Sequence, residues 1–276
     1  MSLDLKGKVV VITGAGGVIC STLAKSLAVT GAKIALLDLN VDAAKVVADE
    51  IVANGYIAKA YKVNVLDKTS IEDAHAAIKV DLGECNILIN GAGGNNPKAT
   101  TDNEYCAFEK DVEKDFFDLK EEGVKFVFDL NFIGTFLPTQ VFAKDMVGKK
   151  GCSILNISSM NAFTPLTKIP AYSGAKAAVS NFTAWLAVHF SKVGIRVNAI
   201  APGFFVTNQN RGLLFDQDGN PTDRTKKILA STPMDRFGEI DELVGATHFL
   251  LDEKAASFIT GVVLPIDGGF NAFSGV

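Results

Sequence analysis

Strand-length apolar runs alternate with amphipathic helix-length stretches without interruption from Lys8 to Asn90, and few folds can accommodate that order. Lys8–Thr13 (KVVVIT) has no polar residue between its apolar ones, as expected of a strand covered on both faces. A helix is expected over Ile19–Thr30, ended by Gly31, and a second strand over Lys33–Asp38. A helix over Val41–Asn54, stopped at Asn54-Gly55, leads to a strand over Ile57–Val63. A helix near Thr69–Val80 then leads to a strand over Asn86–Asn90. This βαβα order implies a parallel sheet with right-handed crossovers and helices on both faces.

The rhythm then breaks. Gly94 to Gly123 is polar and charged, with Asn95-Asn96-Pro97 and acidic clusters near its end. It reads as a solvated excursion on the active-site side, with disorder as the alternative. Val124–Val147 returns to helix, Ser153–Ile157 to strand, Ala171–Lys192 to helix and Arg196–Ile200 to strand. Phe204 to Thr232 reads as a second irregular stretch, with turn residues at Asp218-Gly219-Asn220-Pro221. A helix near Asp241–Leu251 and a strand over Val262–Ile266 follow. With no repeat, linker or low-complexity segment, residues 1–276 read as one domain with excursions near 94–123 and 204–232.

Composition removes several classes of function. Twenty-seven Lys and Arg against 31 Asp and Glu leave a net charge of −4 with no basic block, which argues against a nucleic-acid partner. The four Cys and three His are dispersed without a CxxC, so neither a disulfide framework nor a metal centre is expected. No apolar run reaches the roughly 18 residues of a membrane span. Met1–Lys8 is polar, unlike a signal peptide, and a cytoplasmic location is expected.

The chemistry begins at Thr13-Gly14-Ala15-Gly16-Gly17, between the first strand and the first helix. A dinucleotide pyrophosphate would sit there on backbone N–H groups at a positive helix end, which makes Gly14, Gly16, Gly17, Val18 and Ile19 cofactor candidates. Asp38, at the end of the second strand, can accept hydrogen bonds from adenosine ribose hydroxyls; the alternative is an ordinary solvated turn residue. Ser159 follows the fifth strand. Tyr172 and Lys176, four apart in Tyr-Ser-Gly-Ala-Lys, share one helix face. A free phenol titrates near ~10, and a neighbouring ammonium is expected to draw it toward the working range.

Together these motifs resemble the short-chain dehydrogenase/reductase family over Lys6 to Gly269. The motifs match in order: the glycine turn, Asn90-Gly91-Ala92-Gly93, Asn131, Ser159, Tyr172, Lys176, Pro202-Gly203, Thr207 and Asp267-Gly268-Gly269. The resemblance implies a single-domain Rossmann-type doubly wound parallel sheet of about seven strands. It also implies a homotetramer with interfaces on the helices around Asn131 and Tyr172 and on the last strand. Tyr172 would be the general acid/base. Ser159 would orient the carbonyl or hydroxyl, Lys176 would also hold the nicotinamide ribose, and Asn131 would stabilise a water on the proton path. Asn64 and Val65 would lie near the adenine, and Asn90, Ala92 and Gly93 along the cofactor. Pro202, Gly203, Phe205 and Thr207 would lie around the nicotinamide carboxamide. NAD is expected over NADP, because no Arg or Lys follows Asp38 in Leu39-Asn40-Val41.

Three features depart from the family pattern. Val18 and Cys20 stand where the family's turn has its last two glycines, Asn64 replaces the usual Asp near the adenine, and the 94–123 excursion is longer than usual. The segments around Asn95, Asn161 and Arg211 are similar to the branch that interconverts D-fructuronate and D-mannonate. That likeness implies an anionic sugar derivative as substrate, held by Asn95, Asn161, Gln209 and Arg211, with Lys168 as the alternative charge. The same residues also read as exposed loop polar groups. Another carbonyl substrate (a gluconate-type sugar acid, a polyol or a 3-oxoacyl thioester) stays open, as does a non-catalytic dinucleotide sensor.

Overall fold

The computed structural model describes residues 3–106, 114–207 and 211–275. Seven parallel strands form one sheet: β1 (Val9–Thr13), β2 (Lys33–Asp38), β3 (Ile57–Lys62), β4 (Cys85–Asn90), β5 (Cys152–Ile157), β6 (Ile195–Pro202) and β7 (Val263–Ile266). Their spatial order is β3-β2-β1-β4-β5-β6-β7, so the winding reverses between β1 and β4. In an open α/β sheet the crevice outside the carboxyl ends of the strands at that reversal is where ligands bind.

Nine α-helices lie among the described residues: α1 (Val18–Ala28), α2 (Val41–Ala53), α3 (Lys68–Asp81), α4 (Glu121–Phe128), α5 (Gly134–Phe142), α6 (Pro170–Phe190), α7 (Arg211–Leu214), α8 (Asp223–Ala230) and α9 (Glu242–Leu251). The strand β1 divides its side chains between two cores. Val10 and Ile12 join Leu23, Leu27, Val47 and Leu250 on the α1, α2 and α9 face. Val9 and Val11 join Ile71, Ile78, Phe142 and Leu186 on the α3, α5 and α6 face. Each fully buried aliphatic side chain contributes about 1.5–3 kcal/mol, so an uninterrupted apolar run is what this position requires.

Three expectations need correction. The 204–232 stretch is not irregular throughout, because α8 forms within it: the Thr222 hydroxyl accepts from Thr225 N at 3.3 Å, and Thr225 and Ile228 are buried. Its single apolar anchor and the Pro221 before the cap give too short a period to read. The 124–147 helix begins earlier, at Glu121, and Asp129–Ile133 widens into a π-turn between α4 and α5. Residues 121–145 are long and apolar enough to cross a membrane by length and composition alone, which the sequence reading had not recognised. Half of the apolar window is buried in the fold, so packing accounts for its character.

One register row marks the edge from which the site departs: Thr13 pairs with Asn90, and Asn90 with Asn156. Asn90 Nδ2 donates to Thr139 Oγ1 on α5 and to Asn156 Oδ1, each at 2.9 Å, and Asn156 Nδ2 donates to Thr183 Oγ1 on α6 at 2.9 Å. This buried chain of amides and hydroxyls ties both helices to the carboxyl edge of the sheet.

Candidate active site

The glycine turn lies at the switch point, and its neighbours fix its shape. Gly14 has φ +65°, and a Cβ there would lie 2.9 Å from the Ala92 backbone. A Cβ on Gly16 would lie 2.7 Å from Ala43 Cβ, so the turn must be bare on the side facing α2. Gly17 caps α1 with extended backbone and no side-chain bond, and the N–H groups of Val18 and Ile19 in the first helical turn have no acceptor four residues earlier. Asp38 reaches back into the turn: Oδ2 accepts from Gly16 N at 2.9 Å and Oδ1 from Asn40 N at 2.8 Å. A carboxylate has about four acceptor positions, so ribose hydroxyls could still be received. Asn64 is exposed, and its Oδ1 accepts from Leu66 N at 3.0 Å. Val65 is buried, close beneath Gly134.

Thr13, which the sequence reading had not singled out as a site residue, holds the second turn. Its buried Oγ1 accepts from Gly91 N at 3.1 Å and from Ala92 N at 3.2 Å. The Asn90 Nδ2 is committed to the core network described above, while its Oδ1 is buried without a partner among the described residues. Asn131 sits in the π-turn and grips Gly94 in both directions: Gly94 N donates to Oδ1 at 3.2 Å, and Nδ2 donates to Gly94 O at 2.8 Å and to Val127 O at 2.7 Å. Gly93 is where the elements converge. A Cβ on it would lie 2.6 Å from Asn131 Oδ1 and 3.2 Å from Lys176 Nζ.

Ser158 and Ser159 separate by function. Ser158 Oγ donates to Lys176 O at 3.2 Å and meets Ser180 Oγ at 2.7 Å, which fastens β5 to α6. Ser159 caps a short 3-10 turn, accepts from Asn161 N at 3.3 Å and hydrogen-bonds the Tyr172 phenol. Lys176 is buried, donates to Ile157 O at 2.8 Å and lies 5.7 Å from the centre of the Tyr172 ring. Burial pushes the ammonium down to about 8. Burial also raises the phenol above its ordinary value, and the Ser159 hydrogen bond opposes that rise. Burial thus outweighs the expected draw toward the working range, and the phenol stays above its ordinary value.

Pro202 ends β6. Gly203 N donates to Ile266 O at 2.9 Å, and a Cβ on Gly203 would lie 2.6 Å from Asp267 Cα. Phe205 turns its ring into the core against Gly238, so its backbone is what it offers the cleft. Thr207 is the last described residue before 208–210, and Gln209 lies outside the described residues. Arg211 opens α7, but its side chain is likewise outside them. Asn161 is buried beside Ser159, whereas Asn95 is exposed and donates to Thr100 Oγ1 at 3.0 Å. Lys168 lies in the loop before α6 with φ +72°.

A glycine crevice at the switch point, with a hydrogen-bonded Ser–Tyr pair and a buried Lys at its other end, defines a dinucleotide-dependent oxidoreductase. Residues 14–271 match a family described as Enoyl-(Acyl carrier protein) reductase, and the chain belongs to the short-chain dehydrogenase/reductase family. It is 65% identical over 274 residues to an uncharacterized oxidoreductase of Haemophilus influenzae, spanning 99% of this chain and 96% of that one. It is 33% identical over 266 residues to gluconate 5-dehydrogenase of Gluconobacter oxydans, spanning 96% and 95%. A crystal structure from Haemophilus, provisionally described as a D-mannonate oxidoreductase with bound NAD, superposes with a TM-score of 0.96 at 65% identity, covering 99% and 98%.

Proposed function

We propose that this chain is an NAD-linked oxidoreductase that interconverts the ketone and secondary alcohol of a sugar acid of the D-fructuronate/D-mannonate type. The observation carrying the reaction is the meeting of Tyr172 with buried Lys176, Nζ 5.7 Å from the ring centre, and with buried Ser159, which acts on the phenol. The likeness to the NAD-bound Haemophilus protein supports the cofactor and the substrate class. Gly14, Gly16, Gly17, Val18 and Ile19 would face the pyrophosphate and Asp38 the adenosine ribose. The nicotinamide supplies or accepts the hydride.

The chain's own part is proton transfer. In reduction, the Ser159 hydroxyl orients the carbonyl oxygen and the Tyr172 O–H bond breaks, its proton passing to that oxygen as the alcohol forms. The phenolate left behind is stabilised by the Lys176 charge. In oxidation the same proton returns to the phenolate.

The homotetramer is part of the same reading. Phe126, Phe128, Trp185 and Val188 are exposed on α4 and α6, beside a stacked ladder in which the Trp185 and His189 rings lie 4.6 Å apart. Exposed large apolar side chains on these two packed helices favour an association face, and sedimentation velocity would give the assembly state. The deciding assay measures kcat/KM with NADH on D-fructuronate, 5-keto-D-gluconate, D-fructose and a 3-oxoacyl thioester. D-Fructuronate is expected to lead. A lead by 5-keto-D-gluconate would move the assignment toward the Gluconobacter relative, and no hydride transfer on any of them would favour a sensor.

A further inference from the structure

A cavity of about 400–500 Å³ (450 Å³) lies between α8 and the loop before α6, lined in part by Glu104, Thr164, Lys168, Phe204, Arg224 and Lys227. That volume is in the range of small-molecule sites. Three of its walls continue the segments that carry the chemistry. Thr164 lies shortly after Ser159, Lys168 is four residues before Tyr172, and Phe204 directly follows Pro202-Gly203. The fourth comes from the long excursion, latched in two places: Thr101 N donates to Lys168 O at 2.9 Å, and Glu104 pairs with Lys227 on α8 at 2.8 Å.

The charges in this cavity are unevenly matched. Glu104 answers Lys227, and Asp223 answers Lys226 at 3.0 Å. Neither Lys168 nor Arg224 forms an ion pair among the described residues, although, after the Lys227 hydrogen bond, the Lys168 charge also helps to lower the Glu104 carboxyl. Lys168 also holds a left-handed backbone, which costs a side-chain-bearing residue energy and persists where surrounding structure enforces it.

We infer that Lys168 and Arg224 form the receptor for the substrate carboxylate, an inference that rests on the sugar-acid reading above. The guanidinium can meet both oxygens through parallel hydrogen bonds, and Lys168 adds a second point charge. The Glu104–Lys227 pair ties the chain around Glu104 to α8 beside this cavity. Arg224 thus joins Arg211, whose side chain lies outside the described residues, as a candidate anchor, and it lay hidden because α8 was not legible as a helix.

The experiment compares wild type, Lys168→Gly, Arg224→Ala, Arg224→Lys and the Lys168→Gly/Arg224→Ala double variant on D-fructuronate and on uncharged D-fructose with NADH. Glycine preserves the left-handed backbone while removing the ammonium. Each charge-removing single variant is expected to raise KM for D-fructuronate about tenfold or more, since one charge-assisted contact is worth at least that. The double variant should raise it further, and Arg224→Lys should retain part of the affinity. KM for NADH and kcat/KM on D-fructose should stay within about twofold of wild type, a split that a general loss of structure would not give. If wild type prefers the acid and the variants keep its KM, the receptor is overturned alone. If wild type treats acid and ketose alike, the sugar-acid reading falls and the receptor with it.

Discussion

The sulfur of Cys20 occupies the space that a Cβ on residue 91 would need, so α1 and the turn after β4 share one volume. Cys20 stands where the family's turn has its last glycine, and the bare Gly91 backbone is what lets the helix approach with that bulk in place. Gly91→Ala is therefore expected to destabilise the fold by about 1–3 kcal/mol through overpacking. Cys20→Gly should cost about 1–2 kcal/mol, mostly through the lost packing of the buried thiol and partly through helix propensity. The double variant should recover part of the Gly91→Ala loss, giving a coupling energy in a double-mutant cycle of denaturant midpoints. Strict additivity would sever the two positions.

The same pair illustrates what the sequence could convey. The strand–turn–helix order around Gly14 and the four-residue spacing of Tyr172 and Lys176 are local patterns, and they appear in the structure where the spacing puts them. That Cys20 fits needs knowledge of a residue 71 positions away, which no local period encodes. Asn90 is a similar case: its Nδ2 is committed to Thr139 and Asn156, a partnership set by sheet register. The helix α8 was lost because only Thr225 and Ile228 are buried in it, fewer than a 3.6-residue period needs to stand out.

Cofactor choice follows from Asp38. Its carboxylate is held by Gly16 N and Asn40 N, so it cannot swing away from a phosphate placed on the adenosine ribose. Like charges a few ångströms apart cost on the order of 1 kcal/mol or more, which predicts at least a several-fold preference for NADH over NADPH in kcat/KM. Asp38→Asn keeps an acceptor for Gly16 N while removing the charge, and it should narrow the preference. A wild-type enzyme faster with NADPH would contradict this assignment.

Tyr172 and Ser159 should separate in their pH behaviour. Tyr172→Phe keeps the ring and removes the transferable proton, so turnover should fall by about 100-fold or more. Ser159→Ala removes the hydrogen bond that opposes the burial-driven rise of the phenol. Alcohol oxidation needs the phenolate, so the rise of its rate with pH should shift to more alkaline values in Ser159→Ala. A profile that keeps its midpoint would mean that the serine does not tune the phenol.

Lys176 connects activity to stability. The folded chain releases its proton near about 8, whereas the unfolded chain holds it to about 10.5, so in between the unfolded state binds more protons. Stability is therefore expected to gain from this group as pH rises through that window, and below it the buried charge costs up to roughly 3 kcal/mol. Removing the charge should relieve that cost. Lys176→Met is expected to unfold at higher denaturant than wild type at pH 7, by about 1–3 kcal/mol after allowing for the lost bond to Ile157 O. The advantage should shrink toward pH 10.5, where wild type is also neutral. Turnover should fall in the same variant, because the phenolate loses its counter-charge. Denaturant midpoints at pH 7 and pH 10 decide the matter: an equal or lower midpoint for Lys176→Met at pH 7 would mean that the ammonium is fully compensated in the fold, and that its placement carries no stability cost for catalysis.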